Sequence, residues 1–324
     1  MFKQVKGFLA LTAMLAVPLG LANAAASAIP GTLNYVEGQV SIAGQPLTPQ
    51  SIGSVQLEPN QVLETGQGRA ELLLTPGVFL RLGDNGAVRL ISPNLGDTRV
   101  ELLQGRAIVE VTEIFKDSNL SVMLDGASAR LDKPGLYSFD ATARLVQVFD
   151  GEANVQANDH QVNLKKDRQL ALAEPFKATH FDAQAAATQN PLYTWSNLRS
   201  EYEAEASMQS ARTVFVGGGS YWDGPGWYWN PYWDMYGFIP GDGIWYSPFG
   251  WPFYSPWLVY SAPRYGYGFH GYGHHGAGFV AGARHVSAGA MASRGAGFGG
   301  IGGGFAGHGF ASGMHGGFGG GGRR

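Results

Sequence analysis

The first half of the chain alternates apolar and polar residues with a period of two, and residues 98–111, TRVELLQGRAIVEV, set the pattern. Val100, Leu102, Ala107, Val109 and Val111 alternate with Arg99, Glu101, Arg106 and Glu110, and Ile108 is the one apolar residue on the polar side. That period predicts a half-buried strand. Gly105 interrupts it midway, which predicts a bulge or a sharp bend. The same phrase returns around Gly38 (residues 35–42) and around Gly151 (residues 148–155). Three returns predict one β-domain in which Gly38, Gly105 and Gly151 are structural bends. A one-residue slip would turn Glu101 and Glu110 inward, so both are expected on the solvent side.

Further alternating runs fall at 69–75, 78–82, 87–92, 120–124, 128–131, 137–139, 144–149, 152–157 and 169–173. Turn residues separate many of them: Pro76-Gly77, Asn85-Gly86, Asn94-Leu95-Gly96-Asp97, Pro134-Gly135 and Asp150-Gly151. Asn85-Gly86 suits a tight hairpin, while at Asp150-Gly151 hairpin and bulge both fit. No long stripe of period 3.6 interrupts residues 31–173. The fold class expected is mainly β, a sandwich, barrel or β-roll.

The pattern then changes. Residues 181–211 contain good helix formers, with Asn190 as a cap and Pro191 at the first helical position. Trp195, Leu198 and Tyr202 share one face of this predicted linker helix, with Arg199, Glu201 and Glu203 largely elsewhere. Residues 217–262 form an aromatic segment, with 17 aromatics among residues 221–260 and prolines that disfavour a long helix or central strand. Extended and turn structure carrying rings is expected, either collapsed over the β-domain or free to make contacts. Residues 263–324 are a glycine-rich tail expected to be disordered.

The N-terminus adds an address. Lys3 and Lys6, an apolar run over 8–21 and Ala22-Asn23-Ala24 predict a cleavable signal peptide, residues 1–24. The run is short for a span of roughly 20 residues, so no stable membrane span is expected after cleavage. A periplasmic, secreted or cell-surface location follows. There is no cysteine, which excludes disulfides and thiolate chemistry. Net charge is −3, offering no broad field for nucleic acid, yet no Asp or Glu follows Asp242 while five arginines do.

No catalytic motif is present, and no enzyme activity or cofactor is expected. Gly217-Gly218-Gly219-Ser220 lacks the lysine and helix of a phosphate loop and reads as a linker. His270, His274, His275 and His285 have no helical spacing and no nearby acid, which argues against a metal site. Below about pH 6 they would add positive charge toward acidic polymers or membrane surfaces. Glu101, Glu110, Glu113 and Asp117 read as a solvated strand face and turn. The candidate contact residues are Trp222, Trp227, Trp229, Trp233, Trp245, Trp251 and Trp257, since stacked rings can engage sugars or an envelope protein.

Several pieces together resemble a FecR-type domain. They are Gly31-Thr32-Leu33, Gly38-Gln39-Val40, residues 62–72 (VLETGQGRAEL), residues 100–107 (VELLQGRA) and residues 147–155 (QVFDGEANV). The resemblance covers about residues 31–173 and implies an all-β extracytoplasmic domain. In signalling members such a domain contacts an outer-membrane receptor, while a cytoplasmic N-terminal segment controls a sigma factor. Here Met1 to Gly7 precede the apolar run, too little for that segment, so the expectation carried over is fold and compartment. The function expected is an exported, non-enzymatic envelope protein acting as an interaction or structural module. The alternatives are a carbohydrate- or peptidoglycan-binding protein using the aromatic segment, and a FecR-type transmembrane regulator retaining residues 1–24.

Overall fold

The computed structural model describes residues 28–219 and 222–262. The predicted signal peptide, the four tail histidines and the glycine-rich tail therefore lie outside the described residues. The chain is mainly β, with a long helix. The first strands are β1 (Thr32–Ile42), β2 (Gln45–Pro46), β3 (Val62–Leu73), β4 (Val78–Leu82), β5 (Ala87–Asn94), β6 (Asp97–Gln104) and β7 (Arg106–Val111). There follow β8 (Asn119–Leu124), β9 (Ala127–Leu131), β10 (Gly135–Asp140), β11 (Leu145–Asp150), β12 (Glu152–Ala157), β13 (His160–Lys165), β14 (Arg168–Ala171) and β15 (Thr179–His180). Helices α1 (Ala183–Gln189) and α2 (Pro191–Val216) precede two hairpins, β16 (Gly226–Asn230) with β17 (Met235–Ile239), and β18 (Ile244–Tyr246) with β19 (Pro252–Tyr254).

The first fifteen strands form one continuous sheet folded over on itself. One layer runs β13-β12-β9-β8-β6-β5 to the start of β3, and the other runs from the end of β3 through β4-β7-β10-β11-β14-β15. β3 belongs to both, since Val62–Glu64 pair with β5 and Ala70–Leu73 with β4, while β1 pairs along its length. Both inner faces fill one core, with Val88, Leu90, Val100 and Leu102 from the first layer and Leu72, Leu80, Val109 and Phe139 from the second. This is a sandwich whose corners are turned by strands that change layer.

The three glycine phrases mark such corners. β1 leaves the second layer for the first at Gly38, β6 passes into β7 and the second layer at Gly105, and β11 passes into β12 and the first layer at Gly151. Each glycine has positive φ, at 68°, 74° and 97°. Gly38 faces Gly68 across a register shift, and a Cβ on Gly38 would meet the Gln67 carbonyl at 2.2 Å. The bend therefore needs glycine for both conformation and space. Asp150-Gly151 is thus a layer change, where hairpin and bulge had both fitted.

Two expectations need correction here. Asn85-Gly86 does not close a hairpin, because β4 pairs with β3 and β7 while β5 pairs with β3 and β6, so the turn also connects the layers. Glu110 is not solvated but fully buried, with Ile108 beside it. The outer face of the first layer is solvated, as Arg89, Arg99 and Glu101 illustrate. The outer face of the second layer is covered by α2 and the aromatic hairpins. Its central strands β4, β7 and β10 are buried on both sides, which strict alternation did not convey.

Asn190 caps α2 as expected, its side chain accepting from the Leu192 amide at 3.0 Å. The buried face of the helix differs from the one its apolar residues suggest. Trp195 is buried, yet Leu198 and Tyr202 are 45% and 39% exposed while Arg199 and Glu203 face the sheet. Complementary charges on the sheet, described next, select this face over an apolar stripe.

Candidate functional site

Three neighbouring strands build the site's floor. Glu71 on β3 stands directly opposite Arg81 on β4, and Glu110 on β7 lies diagonally beyond, all on the covered face. Arg81 Nε donates to Glu71 Oε2 at 2.6 Å and its Nη1 to Glu110 Oε2 at 2.5 Å. From α2, Arg199 Nη2 donates to Glu71 Oε1 at 2.9 Å and to Glu203 Oε1 at 3.1 Å, and Ser200 Oγ donates to Glu110 Oε1 at 2.8 Å. Arg199 also lies over the Tyr35 ring, 4.2 Å from its centroid.

Asn34 ties a third part of the chain to this cluster. A register shift between Leu33 and Tyr35 leaves Asn34 as a bulged residue, which turns its side chain to the outer face. Its Nδ2 donates to Glu203 Oε1 at 2.7 Å, Glu71 Oε1 at 3.1 Å and the Tyr236 carbonyl at 3.2 Å. Its Oδ1 accepts from the Tyr236 amide at 2.8 Å.

Three carboxylates face two guanidinium groups, so the cluster balances only if one carboxyl keeps its proton. Burial and then the neighbouring Glu71 charge push Glu203 well above the usual carboxylate range. Burial also opposes the charge on Glu71, but Arg199 and Arg81 outweigh it and hold that carboxyl below its ordinary value. Burial pushes Glu110 up, with Arg81 and Ser200 partly offsetting it. Both arginines are held charged by the carboxylates against their own burial. Between Glu71 and Glu203 these opposite shifts favour the proton on Glu203, which brings the sum to zero. A cluster sealed this way reaches no substrate; what it does is lock α2 and the first aromatic hairpin to the sandwich.

The seven tryptophans are distributed through and around this lock. Trp227 packs edge-on against Phe79 and Phe238 with centroids 5.0 and 5.9 Å apart. Trp229 packs on Tyr236 at 5.1 Å, and its ring closes over Gly53. Trp251 donates Nε1 to Asn197 at 2.9 Å and Trp245 to the Asp242 carbonyl at 2.9 Å. Trp222 stacks on Tyr228 at 5.5 Å, and Trp233 lies between Tyr202 and Tyr232. All six are half-buried, and Trp257 alone of the seven is exposed, at 46%. The structure does not bring them together as one platform. The aromatic segment collapses over the β-domain, and among its described residues the most exposed ring is Tyr232 at 80%.

Sequence reasoning missed Asn34, Glu71, Arg81, Arg199 and Glu203. A signal was present: Val78–Leu82 reads Val-Phe-Leu-Arg-Leu, and Ile108 next to Glu110 also breaks the alternation. Apolar and charged residues sharing one strand face imply that something covers it. Of the other carboxylates, Glu101 pairs with Arg89 at 3.1 Å on the solvated face, Glu113 is half-buried and Asp117 is exposed at a turn. Among the described residues, no group of three or more His, Asp or Glu is placed to hold a metal ion. A separate open cleft of about 650 Å³ lies at the Gly38 corner, bordered by Gln39, Glu64, Gly66 and Gln104. No described helix is long and apolar enough to cross a membrane.

No family model matches the chain, and no curated protein matches it. Among solved structures, it is similar to a protein from Parabacteroides distasonis ATCC 8503 classed by inference as an anti-sigma factor. One crystal structure, at 2.50 Å resolution, shares 18% identity and a TM-score of 0.35, covering 40% of this chain and 64% of that one. A second so described, at 1.65 Å, shares 16% identity and a TM-score of 0.34, covering 39% of this chain and 62% of that one. The chain thus spans less than two thirds of the structures it resembles.

Proposed function

We propose that this protein is an exported, non-enzymatic interaction module of the cell envelope. The sandwich is its scaffold, and α2 with the aromatic segment locked onto it carries the contact surface. The observation that carries this reading is what the lock leaves outside. Leu198 and Tyr202, one helical turn apart on α2, and Tyr232 on the β16–β17 turn are 45%, 39% and 80% exposed, and Trp233 lies 5.7 Å from Tyr202 and 6.0 Å from Tyr232. Exposed rings on a rigid base suit a partner, whereas the convergent carboxylates are sealed away from substrate. The lysines and apolar run before Ala22-Asn23-Ala24 support export.

A polysaccharide or peptidoglycan partner is the second reading. It is favoured by Asp234, exposed immediately after Trp233, where a carboxylate can accept from sugar hydroxyls beside the rings. The test is fractionation of cells expressing the full chain, with intact-mass analysis of the recovered protein. The expected result is an envelope protein with a mature N-terminus at or near Ala25, held in an assembly that Tyr202→Ala/Tyr232→Ala releases without loss of Tm. Retention on isolated peptidoglycan, lost in the same variant, selects the second reading. An unprocessed cytoplasmic protein, or hydrolytic turnover of envelope polymers, overturns both.

A further inference from the structure

A different surface lies at the C-terminal end of α2. Phe215 and Val216 close the helix at 42% and 84% exposure, and Trp257 and Tyr260 stand with them at 46% and 66%. The Phe215 and Tyr260 rings are 6.2 Å apart, and Trp257 lies against Gly219 just beyond the helix. Their neighbours hold this patch firmly: Val214, Leu258, Val259 and Ala262 are buried with Met208, Ala211 and Ile239 in one cluster. The exposed side chains therefore project from a packed base.

Charge identifies the partner. No Asp or Glu occurs between Ala206 and Trp222 or after Asp242, and every Lys or Arg in those stretches is an arginine: Arg212, Arg264, Arg284, Arg294, Arg323 and Arg324. The chain leaves the patch at Ala262 and enters that cationic, acid-free sequence directly. Exposed Trp, Tyr, Phe and Val whose chain continues into an acid-free, arginine-bearing sequence match the headgroup level of a bilayer, where rings meet the acyl boundary and guanidinium groups meet phosphate.

We propose that this end of α2, with Trp257 and Tyr260, seats the protein on an anionic lipid surface. The contact lies on the surface without spanning it, and it involves none of Leu198, Tyr202 or Tyr232. It can therefore fail or succeed independently of the reading above.

The test uses the full mature chain and two vesicle types, phosphatidylglycerol with phosphatidylethanolamine, and phosphatidylcholine alone. Co-sedimentation and a blue shift of tryptophan emission are expected with the anionic vesicles, weakening at high salt. Val216→Ser/Trp257→Ser/Tyr260→Ser is expected to lower the partition coefficient about tenfold at unchanged far-UV CD. Val216→Ser alone, at the most exposed position, gives a smaller loss and serves if the triple variant is unstable. Equal binding by wild type and variants, or equal binding to both vesicle types, overturns the proposal. So does a concentration-dependent dimer abolished by the same substitutions, which would make a second copy the occupant, or retention on polysaccharide with none on vesicles.

Discussion

The side-chain amide of Asn34 pairs with the main chain of Tyr236 much as a neighbouring strand would. It donates to the Tyr236 carbonyl at 3.2 Å and accepts from its amide at 2.8 Å, although 202 residues separate the two. One bulged residue in the first strand thereby fixes the first aromatic hairpin, while its remaining hydrogen bonds reach Glu71 and Glu203.

Asn34→Ala should therefore destabilise well beyond one ordinary hydrogen bond. It strands the buried Tyr236 amide and removes a donor from Glu71 and Glu203, for a cost of about 2–3 kcal/mol. The urea midpoint should fall and near-UV CD from the tryptophans should weaken. An unchanged midpoint would show that the hairpin is held by ring packing alone.

Glu71 and Arg199 should be energetically coupled. Arg199→Met alone leaves excess negative charge sealed under α2 and should cost about 3–5 kcal/mol. Glu71→Gln/Arg199→Met leaves Arg81 matched to Glu110, so the double variant should cost about 1–3 kcal/mol less than the sum of the singles. Additive losses in a double-mutant cycle would remove the lock from the account.

The shared proton gives a pH signature. Burial and Glu71 raise Glu203 in the folded state above its unfolded value. Its contribution is then fully present below about pH 4.3, the unfolded value, and is lost as pH rises through the folded one. Glu71 is shifted the other way, so its contribution is lost only as pH falls through its lowered folded value. Glu203→Gln mimics the neutral form and should gain stability relative to wild type as pH is raised from 5 to 9. Urea midpoints that stay parallel across that range would refute this assignment.

The corner at Gly38 should tolerate less than a glycine with similar φ elsewhere. Gly38→Ala meets the Gln67 carbonyl at 2.2 Å, whereas Gly126, with φ of 78°, has open space around it. Gly126→Ala should cost about 1–2 kcal/mol from backbone strain, and Gly38→Ala more than that. Thermal unfolding of the two variants compares them directly, and equal losses would show that crowding adds nothing.

Much of the sandwich was legible because alternation reports which side of a strand is apolar. The phrases around Gly38, Gly105 and Gly151 located three corners, although what each corner does depended on knowing strand partners. The covered face was harder to read. Glu110 in isolation is a charged residue on a polar stripe, and Arg199 and Glu203 read as the solvent side of a helix. Only Glu71, Arg81 and Asn34, brought in from three other strands, reverse that reading.

Local sequence determined the elements, the caps and the bends, because propensity, period and positive φ act over a few residues. Tertiary structure decided which side of α2 is inside and which rings remain available. It also decided which carboxyl keeps its proton, since burial and neighbouring charge set that balance between groups far apart in the chain. Hydrophobic pattern finds a face that solvent chooses; it has no means of finding one chosen by a matching set of buried charges.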